Sequence, residues 1–226
     1  KRPVLPEGEE APVEPLKSDN EFGNAEEDAR RRDFTVNGLF YDEEKNEVLD
    51  YVGGLKDLDR KLIRAIGDPA VRFKEDPIRM LRAVKFAAKL NFRIEAATAK
   101  AVLENGSDLR KASLPRLVEE ILRLFSSGAS ESSLDILRQT GLLPIILPEI
   151  PTPTPAALGA RMRALDHLQG LGEVPSHALI WSALFWDLAE KSMREGRGRN
   201  QKFVVGDVLN PVALRLRASR KDMDMT

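Results

Sequence analysis

The chain has 226 residues, 42% hydrophobic and 31% charged, with a formal net charge of −1, and this length is enough for one large domain or two small ones. The absence of cysteine excludes disulfides, thiolate metal sites and cysteine nucleophiles, and the two histidines, His167 and His177, leave little room for a histidine-based metal site. The charged fraction and the short apolar runs exclude a membrane protein, and without a signal peptide a cytoplasmic location is expected.

The near-zero net charge results from opposite charges in different segments. Residues 1–28 carry 3 basic and 9 acidic side chains, whereas residues 29–128 have a net charge of +4 and residues 191–221 one of +7. A basic surface suits an anionic partner such as RNA, although charge runs are equally often solvated faces. Residues 1–20 are rich in proline and glutamate, a composition typical of a flexible segment.

Residues 33–51 are predicted to contain two short elements joined by a turn. Apolar and aromatic residues flank the polar stretch 42–46, which favours at least one β-strand. Asn37-Gly38 is itself a hairpin signal, so the type of the element before Leu39 stays open. Gly53-Gly54 is then expected to interrupt the chain.

Asp76-Pro77 predicts the start of a helix, because an Asp side chain accepts unpaired backbone N–H groups and proline suits the first helical position. The residues that follow place two stripes side by side on this helix. The apolar stripe consists of Ile78, Leu81, Val84 and Ala88. The cationic stripe, displaced by one residue, consists of Arg79, Arg82, Lys85 and Lys89.

The rest of the chain is predicted to be helical, apart from a proline-rich stretch. Helices are expected over residues 95–103, from a Ser113 cap to before Gly128, and over residues 132–139, 161–169 and 176–191. Five prolines between residues 141 and 155 exclude a continuous helix there and indicate a boundary. Trp181 and Trp186 are predicted to lie in the core, and neither histidine is assigned a functional role.

Two short stretches are candidate binding sites. Arg31 and Arg32, followed by Asp33, could hold a nucleotide, since guanidinium forks bind phosphate oxygens and a carboxylate accepts from a ribose hydroxyl. A salt-bridged turn has the same composition. Asp76 and Arg79 lie on one helical turn, where a carboxylate beside a guanidinium could read the edge of a base. A capping Asp with an intrahelical ion pair has the same spacing.

Several motifs in series resemble those of a known family. In chain order they are Arg31-Arg32-Asp33-Phe34-Thr35-Val36-Asn37, Asp50-Tyr51-Val52-Gly53-Gly54-Leu55-Lys56-Asp57-Leu58, Ile63-Arg64, Gly67-Asp68-Pro69, and residues 72–83, which include Glu75-Asp76-Pro77-Ile78-Arg79. The series resembles the class II nucleotidyltransferases, which comprise bacterial poly(A) polymerases and CCA-adding tRNA nucleotidyltransferases. Residues 19–28, 38–41 and 86–90 resemble the poly(A) polymerases more closely.

The resemblance implies a fold and a domain order. The fold would be mainly α, with a remnant of an α/β nucleotidyltransferase head followed by helical neck and body domains. Residues 1–66 would form the partial head with its acidic leader, and residues 67–150 the helical neck, which binds RNA and nucleotide. Residues 151–226 would form a partial body that contains the basic segment.

The resemblance also implies roles for individual residues. The ribose and phosphates of the incoming nucleotide would contact the first motif, at Arg31, Arg32, Asp33 and Asn37. Its base would be read at Glu75, Asp76 and Arg79. Residues 53–58 would form a flexible element between head and neck. RNA contacts are predicted on the cationic stripe, at Arg82, Lys85 and Lys89.

The catalytic metal site of the family is expected outside this chain. Two metal ions serve this kind of phosphoryl transfer, and the family holds them with an Asp-x-Asp pair and a third carboxylate upstream of the arginine motif. Only 30 residues precede Arg31, and they contain no such pair. No catalytic or metal-binding residue is therefore predicted here, Mg²⁺ is assigned to an upstream segment, and Asp57-Leu58-Asp59 is not a substitute because its context matches the flexible element.

The predicted function is that of part of a template-independent enzyme that adds AMP from ATP to RNA 3′ ends. Three alternatives stay open: a CCA-adding tRNA nucleotidyltransferase, a non-catalytic RNA- or nucleotide-binding piece, and a helical protein–protein module with a cationic surface. The 226 residues by themselves are expected to be inactive.

Overall fold

A computed structural model describes residues 24–195 together with Val212 and Arg215. The acidic leader up to residue 23 and most of the basic segment at 191–221 lie outside these described residues. Within them the chain is mainly helical, with ten α-helices and two two-stranded sheets, which confirms the predicted fold class. No described helix combines the length and the apolar character that crossing a membrane requires.

The first described residues form a small region of mixed secondary structure. It contains α1 (Ala25–Arg31), a 3₁₀ helix (Thr35–Asn37), and an antiparallel hairpin of β1 (Leu39–Asp42) and β2 (Glu47–Asp50). The predicted pair of short elements is confirmed, and both are strands. Asn46, with φ of 54°, closes the hairpin, so the turn lies in the polar stretch and not at Asn37-Gly38.

The next elements connect this region to the helices. They are α2 (Gly54–Asp59), β3 (Leu62–Ile63), α3 (Pro69–Glu75), α4 (Ile78–Leu90) and β4 (Arg93–Ile94), which pairs in parallel with β3. The predicted break at Gly53-Gly54 is present, since Gly53 has φ of 80° and the next residue begins α2. The Asp68 side chain accepts from the backbone N–H groups of Ala70 and Val71, so α3 begins with the same Asp-Pro signal as α4.

The remaining helices include one in each of the five predicted ranges, although the helix predicted at residues 161–169 begins at Ala156 and a further short helix lies in the proline-rich stretch. They are α5 (Ala96–Asn105), α6 (Leu114–Phe125), α7 (Ser130–Gln139), α8 (Leu143–Ile146), α9 (Ala156–Gly170) and α10 (His177–Glu195). The predicted cap at Asp76 is confirmed, since its Oδ1 accepts from the backbone N–H of Ile78 at 3.2 Å. Ser113 lies at the N-cap position of α6, as predicted, but its side chain makes no capping hydrogen bond.

One apolar cluster runs from Phe73 on α3 to Val212 and includes residues of α9 and α10. The core is therefore continuous across the predicted boundary at residue 150, and the division into neck and body stays a prediction. Trp181 is buried and stacks on Phe185, with ring centroids 5.8 Å apart. Trp186 is 48% exposed, so its assignment to the core is wrong; its side chain lies off the apolar face of α10.

A second, smaller cluster fixes the arginine motif to α4. It consists of Phe34, Ile63, Ala65, Ala83 and Ala87. The alanines on α4 let the motif approach this helix closely, and the fully buried Phe34 ring packs edge-on against Phe86 at 5.9 Å. The charged residues on both sides of Phe34 thereby lie beside the first turns of α4.

The start of α2 packs tightly against the 3₁₀ helix. A Cβ on Gly54 would overlap the carbonyl oxygen of Thr35 and lie 2.9 Å from the Leu39 side chain. We expect Gly54→Ala to lower the free energy of unfolding by about 2–3 kcal/mol in urea titrations, because backbone and core would have to shift. Gly170→Ala is the matched control, since a Cβ there meets open space; equal effects of the two changes would contradict this prediction.

Candidate nucleotide-binding site

The arginine motif is held by backbone hydrogen bonds on the side of β3. The backbone N–H of Thr35 donates to the carbonyl of Arg64 at 3.0 Å, and that of Ile66 donates to the carbonyl of Asp33 at 3.1 Å. Arg31 and Arg32 precede this paired segment and are exposed. The motif therefore offers its guanidinium groups to solvent from a fixed backbone.

Asp33 connects the motif to α4. Its Oδ1 accepts from the backbone N–H of Phe34 and from Nδ2 of Asn37, both at 2.9 Å. Its Oδ2 accepts from Nε of Arg82 at 2.6 Å. The Asp33 side chain is only 9% exposed, so this charge-assisted contact between residues 49 apart in sequence holds both side chains in place.

Arg32 is oriented by groups of its own segment. Its Nε and Nη2 donate to Asp28 Oδ2 at 3.1 and 2.9 Å, and its Nη1 donates to the carbonyl of Asn37 at 3.2 Å. The guanidinium also lies 5.1 Å from the centroid of the Phe40 ring. The hydrogen bond from Arg32 lowers the pKa of the Asp28 carboxyl below its ordinary value, which favours the charged carboxylate.

Asp76 and Arg79 lie close together, but they do not pair with each other. Asp76 Oδ2 accepts from Nη2 of Arg116 at 2.7 Å, and this hydrogen bond raises the pKa of Arg116. Arg79 Nη1 donates to Glu75 Oε2 at 3.0 Å and to the carbonyl of Arg72 at 2.9 Å. The hydrogen bond from Arg79 lowers the pKa of Glu75. The predicted intrahelical pair is thus replaced by one contact with α6 and one with α3.

One cleft of about 450 Å³ brings most of the predicted residues together. Its lining consists of Arg31, Arg32, Asp33, Asn37, Asp76, Arg79, Arg82, Phe86 and Arg116. Five arginines against two aspartates favour a ligand with several negative charges. The sequence prediction missed Phe86, although it lies two helical turns after Arg79, and it missed Arg116, which no motif marked.

Three predicted residues lie outside this cleft. Glu75 faces a neighbouring surface depression and reaches the cleft through its ion pair with Arg79. Lys85 forms an ion pair with Glu120, and both side chains are largely buried, at 13% and 5% exposure. Lys89 is exposed near the end of α4. Of the predicted RNA contacts, Lys89 is thus open to a partner, whereas the ammonium of Lys85 is directed at a carboxylate.

The predicted flexible element is anchored at both ends. Asp50 accepts from four backbone N–H groups, those of Val52, Gly53, Gly54 and Leu55, at 2.8 to 3.1 Å. Asp57 is buried and accepts from the Thr35 hydroxyl at 2.8 Å and from Nε of Arg64 at 2.9 Å. In this conformation the element is tied to the arginine motif by side chains as well as by packing.

The Asp50 carboxylate contributes to the free energy of unfolding, and this contribution is lost at acid pH. Burial raises the pKa of Asp50, but its backbone hydrogen bonds lower it further, to below the ordinary value. A depressed carboxyl pKa contributes stability above about pH 4 that is lost as the pH falls through the folded-state pKa. We expect Asp50→Asn to cost about 1–2 kcal/mol at pH 7 and less near pH 2–3 in urea unfolding. Asp59→Asn, an exposed change at the end of α2, is the control; a pH-independent difference would contradict the prediction.

The chain is similar to two groups of curated proteins. The family model described as "Poly A polymerase head domain" matches residues 7–64, and the one described as "Probable RNA and SrmB-binding site of polymerase A" matches residues 91–152. Poly(A) polymerase I of Salmonella typhi is 47% identical over 135 residues, which are 60% of this chain and 29% of the relative. The CCA-adding enzyme of Pediococcus pentosaceus is 44% identical over 116 residues, or 51% and 29% of the two chains.

Solved structures show the same fold. A tRNA-processing enzyme in an apo form aligns over 89% of this chain and 55% of its own, with 25% identity and a TM-score of 0.64. A tRNA nucleotidyltransferase complexed with a primer tRNA and an incoming ATP analog aligns over 87% and 62%, with 26% identity and a TM-score of 0.61. The chain spans less than a third of the length of the curated relatives that it matches.

Proposed function

We propose that this chain, which belongs to the class II nucleotidyltransferases, the family of bacterial poly(A) polymerases and CCA-adding enzymes, is part of an enzyme that adds AMP from ATP to RNA 3′ ends. The observation that carries the proposal is the single cleft shared by the arginine motif and the Asp76–Arg79 turn. A nucleoside triphosphate combines the two features that this cleft would contact, a polyanion and a base edge.

The arginine motif is suited to the phosphates and the ribose. Arg31 and Arg32 are exposed, and the N–H groups that their contacts with Asp28 and the Asn37 carbonyl leave over can donate to phosphate oxygens. Asp33 provides carboxylate oxygens and Asn37 a carbonyl oxygen in the same lining, and a ribose hydroxyl could donate to them. Arg82 holds Asp33 and adds positive charge behind it.

The Asp76–Arg79 turn is suited to a base with an amino group. The Asp76 carboxylate accepts, and the Arg79 guanidinium donates. Adenine presents an amine donor beside a ring-nitrogen acceptor, whereas uracil presents an oxygen acceptor beside an N–H donor. Cytosine has the same donor and acceptor order as adenine, so this pair alone fits both ATP and CTP. The CCA-adding alternative therefore remains a second candidate.

The described residues do not fit a catalytic Mg²⁺ site. In the part of the chain that the structure describes, no group of three or more His, Asp or Glu residues is placed to hold a metal ion. Asp57, the first residue of the Asp57-Leu58-Asp59 stretch, has its oxygens engaged by Thr35 and Arg64. We assign the Mg²⁺ that this chemistry uses to residues outside the described part, and we derive no step through it.

RNA binding and a cytoplasmic setting are parts of the same proposal. Lys89 and the basic segment at 191–221 supply positive charge for a phosphate backbone. Binding through such contacts should weaken steeply as salt concentration rises, because bound counterions are released. Salt-insensitive binding would argue against this part of the proposal.

The test is nucleotide incorporation by the natural gene product that contains this chain. It is incubated with Mg²⁺, a labelled RNA primer and each nucleoside triphosphate in turn. Long tails with ATP alone support polyadenylation, addition limited to C-C-A on tRNA ends supports the alternative, and no incorporation contradicts both. The 226-residue chain by itself is expected to bind ATP without incorporating it.

A further inference from the structure

We propose that Arg72 is a positioning residue, which holds the arginine motif in register with the Asp76–Arg79 turn so that phosphates and base of one nucleotide are contacted together. This inference rests on the proposed nucleotide site. Arg72 does not line the cleft itself, so its effect on a ligand would be transmitted through the residues it holds.

The first observation is a clamp on the backbone of the arginine motif. Arg72 Nη2 donates to the carbonyl oxygens of Arg31 and Arg32 at 2.7 and 2.8 Å, across 41 and 40 residues of sequence. These carbonyls lie at the C-terminal end of α1, where carbonyl groups lack helical partners and a cation is favoured. The side chain of Arg72 is 17% exposed, so its guanidinium is largely shielded from water.

The second observation is that the same residue is hydrogen-bonded to the Asp76–Arg79 turn proposed to read the base. Arg72 Nη1 donates to Glu75 Oε2 at 2.9 Å, and the same oxygen accepts from Arg79. Arg79 also donates to the backbone carbonyl of Arg72 at 2.9 Å. Arg72 is therefore bonded on one side to the motif proposed to hold phosphates and on the other to the arginine proposed to read the base.

The third observation separates this role from simple charge neutralisation. Arg72 Nε is buried without a hydrogen-bond acceptor among the described residues, which is a cost that a lysine would not carry. The two terminal nitrogens serve two different groups of acceptors at once, and a lysine ammonium cannot reproduce the spread of a planar fork. The guanidinium geometry, rather than the charge alone, connects the two halves of the cleft.

The experiment compares two ligands of the purified 226-residue chain by titration calorimetry. Inorganic triphosphate requires the arginine motif only, whereas ATP uses the motif and the base-reading turn together. We expect Arg72→Gln to weaken ATP binding about tenfold while triphosphate affinity changes by less than about threefold. The ATP affinity of the Arg72→Lys variant should lie between that of Arg72→Gln and that of the unchanged chain. Arg138→Gln, an exposed change on α7, should alter neither affinity.

Each outcome decides for or against the proposal. A fall in the ratio of ATP to triphosphate affinity, in both variants and with cooperative thermal unfolding retained, supports it. An unchanged ratio, with both affinities reduced in parallel or neither reduced, overturns it and leaves Arg72 a residue of general stability. Absence of ATP binding by the unchanged chain overturns the proposed nucleotide site itself, and this inference with it.

Discussion

Replacing Glu120 with alanine is expected to lower the free energy of unfolding by about 3–5 kcal/mol, because it leaves a buried ammonium without its partner. Lys85 and Glu120 connect α4 and α6, with side-chain exposures of 13% and 5%. The nearest other cation, Arg123, lies 3.9 Å from the second carboxylate oxygen and is itself 55% exposed. The Lys85 charge would then be left beside the Phe86 ring, 5.3 Å from its centroid, with no carboxylate to balance it.

Urea unfolding of four chains measures this effect: the unchanged chain, Glu120→Ala, Lys85→Met, and the double change Lys85→Met with Glu120→Leu. The double change should recover most of the loss, since an apolar pair of similar volume often replaces a buried ion pair at little cost. Glu119→Ala is the control, because its side chain is 58% exposed. A loss below about 1 kcal/mol for Glu120→Ala would show that the pair is solvated and that Lys85 is available to RNA.

The long helices could be predicted because their apolar periodicity is a local property. The sequence predicts the start of α4 at Pro77 to within a residue, and apolar spacing indicates the helices that carry Leu117 and Trp181. The short helices α1, α2 and α3 span only six or seven residues each, too few for a period to show. Their starts depend on single side chains, such as the Asn24 and Asp68 caps.

The partners of the charged residues could not be predicted, because they come from distant parts of the chain. The cationic stripe of α4 looks uniform in sequence, yet each of its first three residues meets a different carboxylate: Arg79 meets Glu75, Arg82 meets Asp33 and Lys85 meets Glu120. Two of these carboxylates are 49 and 35 residues away. Periodicity identified the face of the helix, and only the tertiary packing separates charges that hold the site from Lys89, which is exposed.

The contact between Arg116 and Asp76 could not be predicted for the same reason. It lies on α6, forty residues after Asp76, and approaches the turn from a helix whose own motif signals are apolar. A carboxylate with a guanidinium already bound is oriented before a base arrives, so less ordering is needed on binding. The structure therefore changes the predicted two-residue reader into a set in which Asp76 is held by Arg116 and Arg79 by Glu75.

The prediction with the largest functional effect concerns Asp76. Replacing Asp76 with asparagine in the natural gene product is expected to lower kcat/KM for ATP about 100-fold and to reduce the preference for ATP over UTP by a similar factor. The amide oxygen can still accept from the backbone N–H of Ile78, so the start of α4 is preserved. The lost group is the second carboxylate oxygen, which accepts from Arg116 and would accept from the exocyclic amine of adenine.

Steady-state incorporation with each of the four nucleoside triphosphates, together with thermal unfolding of the same samples, separates the two roles that the spacing of Asp76 and Arg79 left open. Loss of selectivity with unchanged stability identifies Asp76 as part of the base reader. Retained selectivity with a lowered unfolding temperature would identify it as a capping residue with an ion pair to α6. Asp135→Asn, which alters an exposed ion pair on α7, should change neither quantity.

Because Arg116 holds only one Asp76 oxygen, Arg116→Gln should weaken ATP incorporation less than Asp76→Asn does. The order of these two effects tests whether the Asp76 carboxylate or its partner Arg116 discriminates between the bases.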